Sequence, residues 1–254
     1  MTLNRFHAFG VHFMGSALIA LGTAALVFLV WYPSPLAGAA GVTNIFLLLL
    51  VVDVTIGPVI TLIVFDPAKK ARKELRRDLS IVVLLQVAAL LYGMHAVFVA
   101  RPVYAVFNVD RFDLVFANDL SDEKLKKVTL PQYKSPPLFG PEIAAARSPS
   151  GVESRNEVLF SALAGGDDLP QFPQHYIAYA DARAQIVERI QSIDALRGFN
   201  PSETKQIDEL IRRHGPRAAG IGFLPLKGKV KDLAVILGRE SAEVLEIVDL
   251  KPWS

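Results

Sequence analysis

Residues 41–65 read GVTNIFLLLLVVDVTIGPVITLIVF, and from Ile45 to Phe65 the run is almost entirely apolar. A helix of this length rises about 30 Å, which matches the hydrocarbon core of a bilayer. The same run contains one acidic residue, Asp53, followed by the pair Gly57-Pro58. It therefore predicts a membrane-spanning helix with a polar position and a potential bend near its middle.

Two more apolar segments, at about 14–32 and 81–100, accompany the segment at 45–65, so the sequence predicts three transmembrane helices in residues 1–100. A cleaved signal peptide ending near Ala39 is the alternative interpretation of the first segment. That segment is longer than the usual apolar core of a signal peptide, which favours a retained helix.

The loop at 66–79 indicates the direction of insertion because it holds the densest basic run of the chain: Lys69, Lys70, Arg72, Lys73, Arg76 and Arg77. Basic loops stay on the cytoplasmic side of a membrane. We therefore expect a cytoplasmic N-terminus, with residues 33–44 and the whole domain at 101–254 on the opposite side. The basic loop is also suited to attract anionic membrane lipid.

The composition excludes several classes of function. The chain is 52% hydrophobic with a mean hydropathy of +0.35. Its net charge of +2 is too small to indicate a nucleic-acid partner. The sequence contains no cysteine, which excludes disulfides, thiolate nucleophiles and cysteine-based zinc sites. The histidines His7, His12 and His95 lack metal-ligand spacing and are interpreted as interfacial or packing residues.

The first part of the external domain predicts a strand, a short helix and an irregular stretch. Residues Val103 to Val109 are rich in β-branched and aromatic side chains, as strands are. Ser121 to Lys127 is polar and predicts a short helix. Five prolines punctuate residues 131–150, which we expect to form an irregular surface excursion.

Two helices are predicted farther on. Isoleucines recur at helical spacing from Asp181 to Leu196, and Gly198 is expected to end that helix. The run at 200–203 has the pattern of a cap, a first-turn proline and a capping-box glutamate. It predicts a second helix to about His214, with Gly215 as its stop.

The end of the chain alternates short apolar runs with turns. Ala219 to Leu226, Asp232 to Leu237 and Val244 to Asp249 predict an antiparallel meander. With the early strand, this gives a small C-terminal α+β domain with a mixed sheet and helices on one side. The predicted fold class is three N-terminal transmembrane α-helices plus that external α+β domain.

Asp53 is the most informative polar residue, because a carboxylate near mid-membrane is costly without a partner or a proton. One interpretation is an aspartate packed between the helices that bonds Thr55, Thr61 or a backbone carbonyl. The other is a docking point for an incoming transmembrane segment. Pro58 frees the carbonyl of Val54, and this carbonyl and Asp53 could together form one polar notch.

No catalytic motif is present: the sequence lacks a phosphate-binding glycine loop, a nucleophile elbow and a zinc-protease motif. Asp110 and Asp113 flank Arg111, and such a cluster favours a local ion-pair network over catalysis. We therefore expect a non-enzymatic protein without a catalytic residue, a cofactor or a metal site.

Four runs carry a resemblance to a known family. They are VWYPSPL at 30–36, the run at 41–65, Gln86 with ALLYG at 89–93, and RPVYAVFNVDRFD at 101–113. The chain resembles the TfpX/TfpZ-type type IV pilin accessory proteins across about residues 6–118. Its most specific marks are the V-D-V-x-x-G-P motif at Val52 to Pro58 and the motif at 101–113, whereas residues 131–180 offer nothing to match.

The resemblance implies an inner-membrane, periplasm-facing protein of Gram-negative bacteria that works with the major type IV pilin and supports its stability or its supply for pilus assembly and twitching motility. From this we expect the protein to bind both the pilin's transmembrane helix and its head. The same resemblance is consistent with the pilus assembly platform as a second partner. The residues we expect to contact pilin lie in the two motifs: Asp53, Gly57, Pro58, Arg101, Tyr104, Asn108, Asp110, Arg111 and Asp113.

Two alternative functions belong to other functional classes, a sensor and an enzyme. A membrane-anchored sensor would need an output domain, and the short basic loop supplies none. An envelope-modifying enzyme would need a polar cluster facing the interface, and none is evident in the sequence.

Overall fold

The computed structural model describes residues 4–214 and 220–253. Gly215 and Ala219, which were assigned to a helix stop and a strand start, lie outside the described residues. The chain divides into two compact units. One contains Met1–Pro33 and Val42–Val99, and the other contains Ser34–Gly41 and Ala100–Ser254.

The first unit consists of three helices, each long and apolar enough to cross a membrane. They are α1 (Arg5–Leu26), which continues as a π-helical turn at Val27–Trp31, α3 (Val42–Val64) and α4 (Arg72–Val99); the short α2 (Leu36–Ala40) belongs to the other unit. The ends of α1 and α4 are joined, because the hydroxyl of Tyr32 donates to the carbonyl of Val97 over 2.8 Å.

Helix α4 begins nine residues before the predicted apolar span. Its 28 residues rise about 42 Å, which is more than a hydrocarbon core requires. Its first two turns contain the charged run after Arg72. The backbone N–H of Ala71 donates to Glu74 Oε2 over 3.1 Å and so satisfies a donor at the start of the helix. Much of the basic segment is therefore helical.

The second unit is an α+β domain, as predicted. Its strands are β1 (Pro102–Asn108), β2 (Arg111–Phe116), β3 (Glu142–Ala146), β4 (Tyr176–Ile177), β5 (Gln191–Ser192), β6 (Ile221–Lys227), β7 (Leu233–Gly238) and β8 (Val244–Val248). Its helices, besides α2, are α5 (Asp122–Lys126), α6 (Val152–Leu163), α7 (Arg183–Arg189), α8 (Ile193–Phe199) and α9 (Thr204–His214). Short 3₁₀ turns lie at Ala117–Asp119, Pro131–Tyr133, Leu169–Gln171, Pro173–His175 and Tyr179–Ala182.

The strands of the described residues form one mixed sheet in the order β4-β3-β1-β2-β6-β7-β8, with β5 paired to β6. Strands β6, β7 and β8 form the predicted antiparallel meander. The pairs β1–β3 and β2–β6 are parallel. The early strand predicted at 103–109 is confirmed as β1, and the short helix predicted at 121–127 is confirmed as α5, capped by Ser121.

Helices pack on both faces of the sheet rather than on one. Alternate residues of β7 enter different cores: Val235 packs with Ile186 of α7, and Ile236 packs with Leu196 and Ile207 of α8 and α9. Leu36 and Ala39 of α2 are buried in the first of these cores. The link between the first two membrane helices is thus part of the α+β domain.

The interpretation of residues 131–150 as wholly irregular is wrong. Strand β3 lies inside this stretch and pairs in parallel with β1. Its last three residues are buried alanines, whose small side chains admit close packing but give little intrinsic preference for a strand. The local sequence did not indicate a strand here, and β3 forms because it pairs with β1.

The helix predicted from 181 to 196 is broken. Helix α7 ends at Arg189, residues Gln191 and Ser192 pair with β6, and α8 then begins with Ser192 as its cap. Gly198 lies within α8 rather than ending it. The periodic isoleucines belong to two helices because the pairing with β6 interrupts the chain between them.

The helix predicted from 200 to 214 is confirmed, but its start is not as expected. Helix α9 begins at Thr204, three residues after Pro201. Asn200 does not cap it, since its side chain bonds the carbonyls of Leu196 and Lys251 and the N–H of Lys251. Asn200 instead joins the end of α8 to the chain terminus.

Candidate functional site

A polar cluster crosses all three membrane helices. The imidazole of His12 on α1 lies 2.6 Å from Thr61 Oγ1 on α3 and 2.9 Å from Gln86 Oε1 on α4. Because an amide oxygen only accepts, Nε2 of His12 carries the proton that it donates to Gln86. The other ring nitrogen of His12, Nδ1, forms the hydrogen bond with the hydroxyl of Thr61. One histidine therefore links the three helices.

The amide nitrogen of Gln86 completes this network. It donates to Ser16 Oγ on α1 over 2.9 Å and to the carbonyl oxygen of Asp53 on α3 over 2.6 Å. The carbonyl that enters the network is that of Asp53 itself, not the Val54 carbonyl that the proline was expected to expose.

Gly57 makes this approach of α4 possible. A Cβ atom at position 57 would lie 2.0 Å from Gln86 Oε1 and 2.7 Å from its Cδ, far inside van der Waals contact. The residue is buried, as is Pro58 beside it. Gly57 therefore provides the space in which the Gln86 side chain bonds α3.

The network forms one wall of a cleft of about 150 Å³ within this unit, lined by His12, Gly15, Ser16, Ile19, Ala20, Asp53, Val83, Gln86, Val87 and Leu90. Asp53 is 8% exposed, and its Oδ2 has no hydrogen-bond partner among the residues that the structure describes. Neither threonine of α3 bonds Asp53 Oδ2, because Thr61 bonds His12 and Thr55 donates to the carbonyl of Val51.

This geometry offers an acceptor in an apolar cleft. Val83, Val87 and Leu90 supply apolar walls, and small residues of α1 leave the space. A buried carboxyl oxygen without a partner is costly in a low-dielectric setting, so a donor or cation entering the cleft would gain a strong interaction. The cleft therefore combines apolar walls with one buried acceptor atom.

The predicted external residues separate into two groups at opposite ends of β1. Arg101 and Tyr104 lie at its start and are buried, with Arg101 Nη2 donating to the carbonyl of Pro137 over 2.9 Å and the Tyr104 hydroxyl to that of Ser135 over 3.3 Å. These two side chains hold a loop of their own domain.

The second group surrounds the turn between β1 and β2. Arg111 Nε lies 3.3 Å from Asp113 Oδ2, and Arg111 Nη1 lies 4.0 Å from Asp110 Oδ1, so the predicted ion-pair network is confirmed. Burial raises the pKa of Asp113, while the positive charges of Arg111 and Lys227 and a bond from Asn108 oppose that rise. Of this group, Asp110 is exposed beside Val109 at the tip of the turn.

Arg101 and Asn108 do not share one site, since seven residues of an extended strand separate them by about 20 Å. Tyr104 is nearer the second group, because Asp113 pairs with Val106, two residues farther along β1. The cleft residues Asp53, Gly57 and Pro58 come together in the membrane unit. Across residues 4–214 and 220–253, no group of three His, Asp or Glu side chains could hold a metal ion.

Sequence reasoning missed His12, Ser16 and Gln86 as parts of the site. His12 was placed before the first crossing, whereas α1 begins at Arg5 and includes it. A signal was available, because His12 and Ser16 are four residues apart and share one helix face. Gln86 was likewise the only amide in the third apolar segment.

Comparison with known proteins gives matches to fimbrial assembly proteins. The family model for the fimbrial assembly protein FimB matches residues 2–41. Two curated fimbrial assembly proteins of Dichelobacter nodosus, of serogroups E1 and I, are each 30% identical over 218 residues, covering 85% of this chain and 84% of the relative. The protein of serogroups C1 and C2 is 36% identical over 116 residues, covering 46% of this chain and 88% of that relative. No solved structure matches the chain.

Proposed function

The chain belongs to the FimB family of fimbrial assembly proteins, and from this premise we propose that it binds the major type IV pilin in the inner membrane and supports its stability or assembly. The relatives are named for fimbrial assembly, and the three membrane helices fit a protein that meets its partner in the bilayer. The resemblance to TfpX/TfpZ-type pilin accessory proteins supports the same role.

The proposed orientation follows from the basic segment. Six lysines and arginines lie between Lys69 and Arg77, at the junction of α3 and α4. This end of the helices is cytoplasmic in the proposal, and the α+β domain is periplasmic. A pilin before assembly has one hydrophobic N-terminal helix and an external head, so both units would have a counterpart on the pilin.

The observation that carries the proposal is the unpartnered Oδ2 of Asp53 in the cleft between α1 and α4. An apolar pilin helix would cover the exposed walls of the cleft, and a polar group on that helix would supply the missing hydrogen bond. His12, Ser16, Thr61 and Gln86 already bond one another, which leaves Asp53 as the acceptor for a partner.

The N-terminal amine of a processed pilin is the cation we propose for Asp53. Depth constrains this pairing, because Asp53 is the twelfth of the 23 residues of α3 and lies about 16 Å from either end. The pilin helix would therefore have to begin near mid-membrane while it is bound.

An Asp53→Asn substitution tests the proposal. Interhelical hydrogen bonds in membranes contribute about 0.6–2 kcal/mol, so we expect pilin recovered with the detergent-solubilised variant to fall about three- to thirtyfold, with fewer surface pili. The control is Thr55→Val, two residues away on the same helix, where the hydroxyl bonds only its own helix. Equal recovery of pilin with the two variants would refute a role for Asp53.

A further inference from the structure

The chain passes from α4 almost directly into one end of the sheet of the α+β domain. Strand β1 begins at Pro102, three residues after the end of α4 at Val99. Strand β3 runs parallel to β1 with Glu142 opposite Tyr104, so the residues that precede β3 lie at the same end. Strand β2 runs back and ends there, with Phe116 opposite Pro102.

The loop before β3 presents an exposed apolar pair at this end. Leu138 is 58% exposed and Phe139 is 72% exposed. The loop is fixed by the bond from Arg101 Nη2 to the carbonyl of Pro137, the residue before this pair. Arg101 is separated from the end of α4 by at most about 7 Å of backbone. Leu138 and Phe139 are therefore held beside Arg101, which follows the end of α4 by two residues.

A second exposed apolar residue lies beside the other membrane helix junction. The carbonyl of Ala39 accepts hydrogen bonds from the backbone N–H groups of Lys229 and Val230, at 3.1 and 2.9 Å. Gly41, which directly precedes α3, lies so close to Val230 that an added Cβ would be 2.6 Å from Val230 Cγ2. Val230 is nevertheless 72% exposed.

Strand register places this second tip at the same end of the sheet as the first. Strand β6 runs parallel to β2, with Lys227 opposite Asp113, so the chain after Lys227 continues in the direction in which β2 ends. The ammonium of Lys229 lies 5.6 Å from the ring of Phe116, the last residue of β2. Both tips thus lie at the end of the sheet where β1 begins and β2 ends.

We propose that this surface is a lipid contact: Leu138, Phe139 and Val230 enter the headgroup region of the leaflet on the domain's side. A lipid surface is favoured over a protein partner because each tip is fixed by a hydrogen bond within three residues of a membrane helix. Apolar and aromatic side chains at this depth partition favourably into the interface. The contact sets which face of the domain points away from the membrane.

The natural lack of cysteine makes a direct test possible, because each introduced cysteine is a unique labelling site. The full chain in lipid nanodiscs, without pilin, would carry an environment-sensitive fluorophore at Phe139→Cys or Val230→Cys. Asp110→Cys is the control, since it is exposed at the opposite end of β1. If Phe139→Cys fails to fold, Leu138→Cys reports on the same tip.

We expect nitroxide attached to lipid near the headgroups to quench both tip labels several-fold more than the Asp110 label, and aqueous iodide to show the reverse order. Iodide quenching at the tips equal to that at Asp110 would overturn the proposal. Protection from both quenchers would also overturn it, because a protein surface rather than lipid would then cover the tips. Lipid quenching at only one tip would contradict the two-point contact.

Discussion

Replacement of Gly57 by alanine should displace Gln86 and disconnect the three membrane helices. The new methyl group would occupy the position of the Gln86 amide, whose nearest atom is 2.0 Å away. Gln86 is flexible and can move, but it would then lose its bonds to His12, Ser16 and Asp53. At about 0.6 kcal/mol for each bond in a membrane protein, we expect a loss of about 2 kcal/mol in the free energy of unfolding.

Thermal unfolding of the full chain in detergent would measure this effect. Gly22→Ala is the matched control, because Gly22 is also in a membrane helix but has no atom within 4 Å of an added Cβ. Introducing Gly57→Ala into a Gln86→Ala variant gives a sharper test. Gly57→Ala should cost little there, since the clashing amide is gone. A full additional loss in the double variant would show that Gly57 acts through something other than Gln86.

Asn200→Ala should strongly destabilise the external domain. Its buried amide donates to the carbonyls of Leu196 and Lys251, each over 2.8 Å, and accepts from the N–H of Lys251 over 2.9 Å. Alanine would leave these backbone groups without that partner. Since each unsatisfied buried group costs about 1–3 kcal/mol, we expect a loss of about 3 kcal/mol or more.

Hydrogen exchange of the full chain would locate the effect of Asn200→Ala, with faster exchange at the end of α8 and at Lys251. The control is Ser202→Ala, two residues away, whose hydroxyl is exposed and should contribute less than about 0.5 kcal/mol. Similar stability of the two variants would show that Asn200 does not hold the chain terminus in place.

Membrane helices and the terminal meander could be predicted because each follows from a local pattern. The run at 41–65 is long, apolar and ended by charge, and those features suffice for a membrane helix. The meander alternates apolar runs with glycine-containing turns. Such elements can be predicted without knowing which residues they pack against.

Elements that depend on distant partners were not predictable. The alanines of β3 indicate a strand only once β1 lies beside them, and β5 forms only against β6. Asn200 is a further example. Its position in the sequence predicted a helix cap, and nothing nearby indicated that its side chain bonds Lys251, 51 residues later.

The candidate site was predicted in part. Asp53 and Gly57-Pro58 are conspicuous because a charge and a helix-breaking pair are unusual in an apolar helix. His12 and Gln86 give weaker signals, a helix face shared with Ser16 and a lone amide in an apolar segment. Their role depends on the packing of α1 against α3 and of α3 against α4, which no spacing along the chain encodes.

The central claim, that the cleft beside Asp53 holds the pilin's membrane helix, is tested most directly by site-specific photocrosslinking in cells. A photoreactive residue at Val87, which lines the cleft, should form an adduct with pilin. The same residue at Leu84, exposed on the same helix but not lining the cleft, should form none. Adducts at Leu84 and none at Val87 would contradict the account.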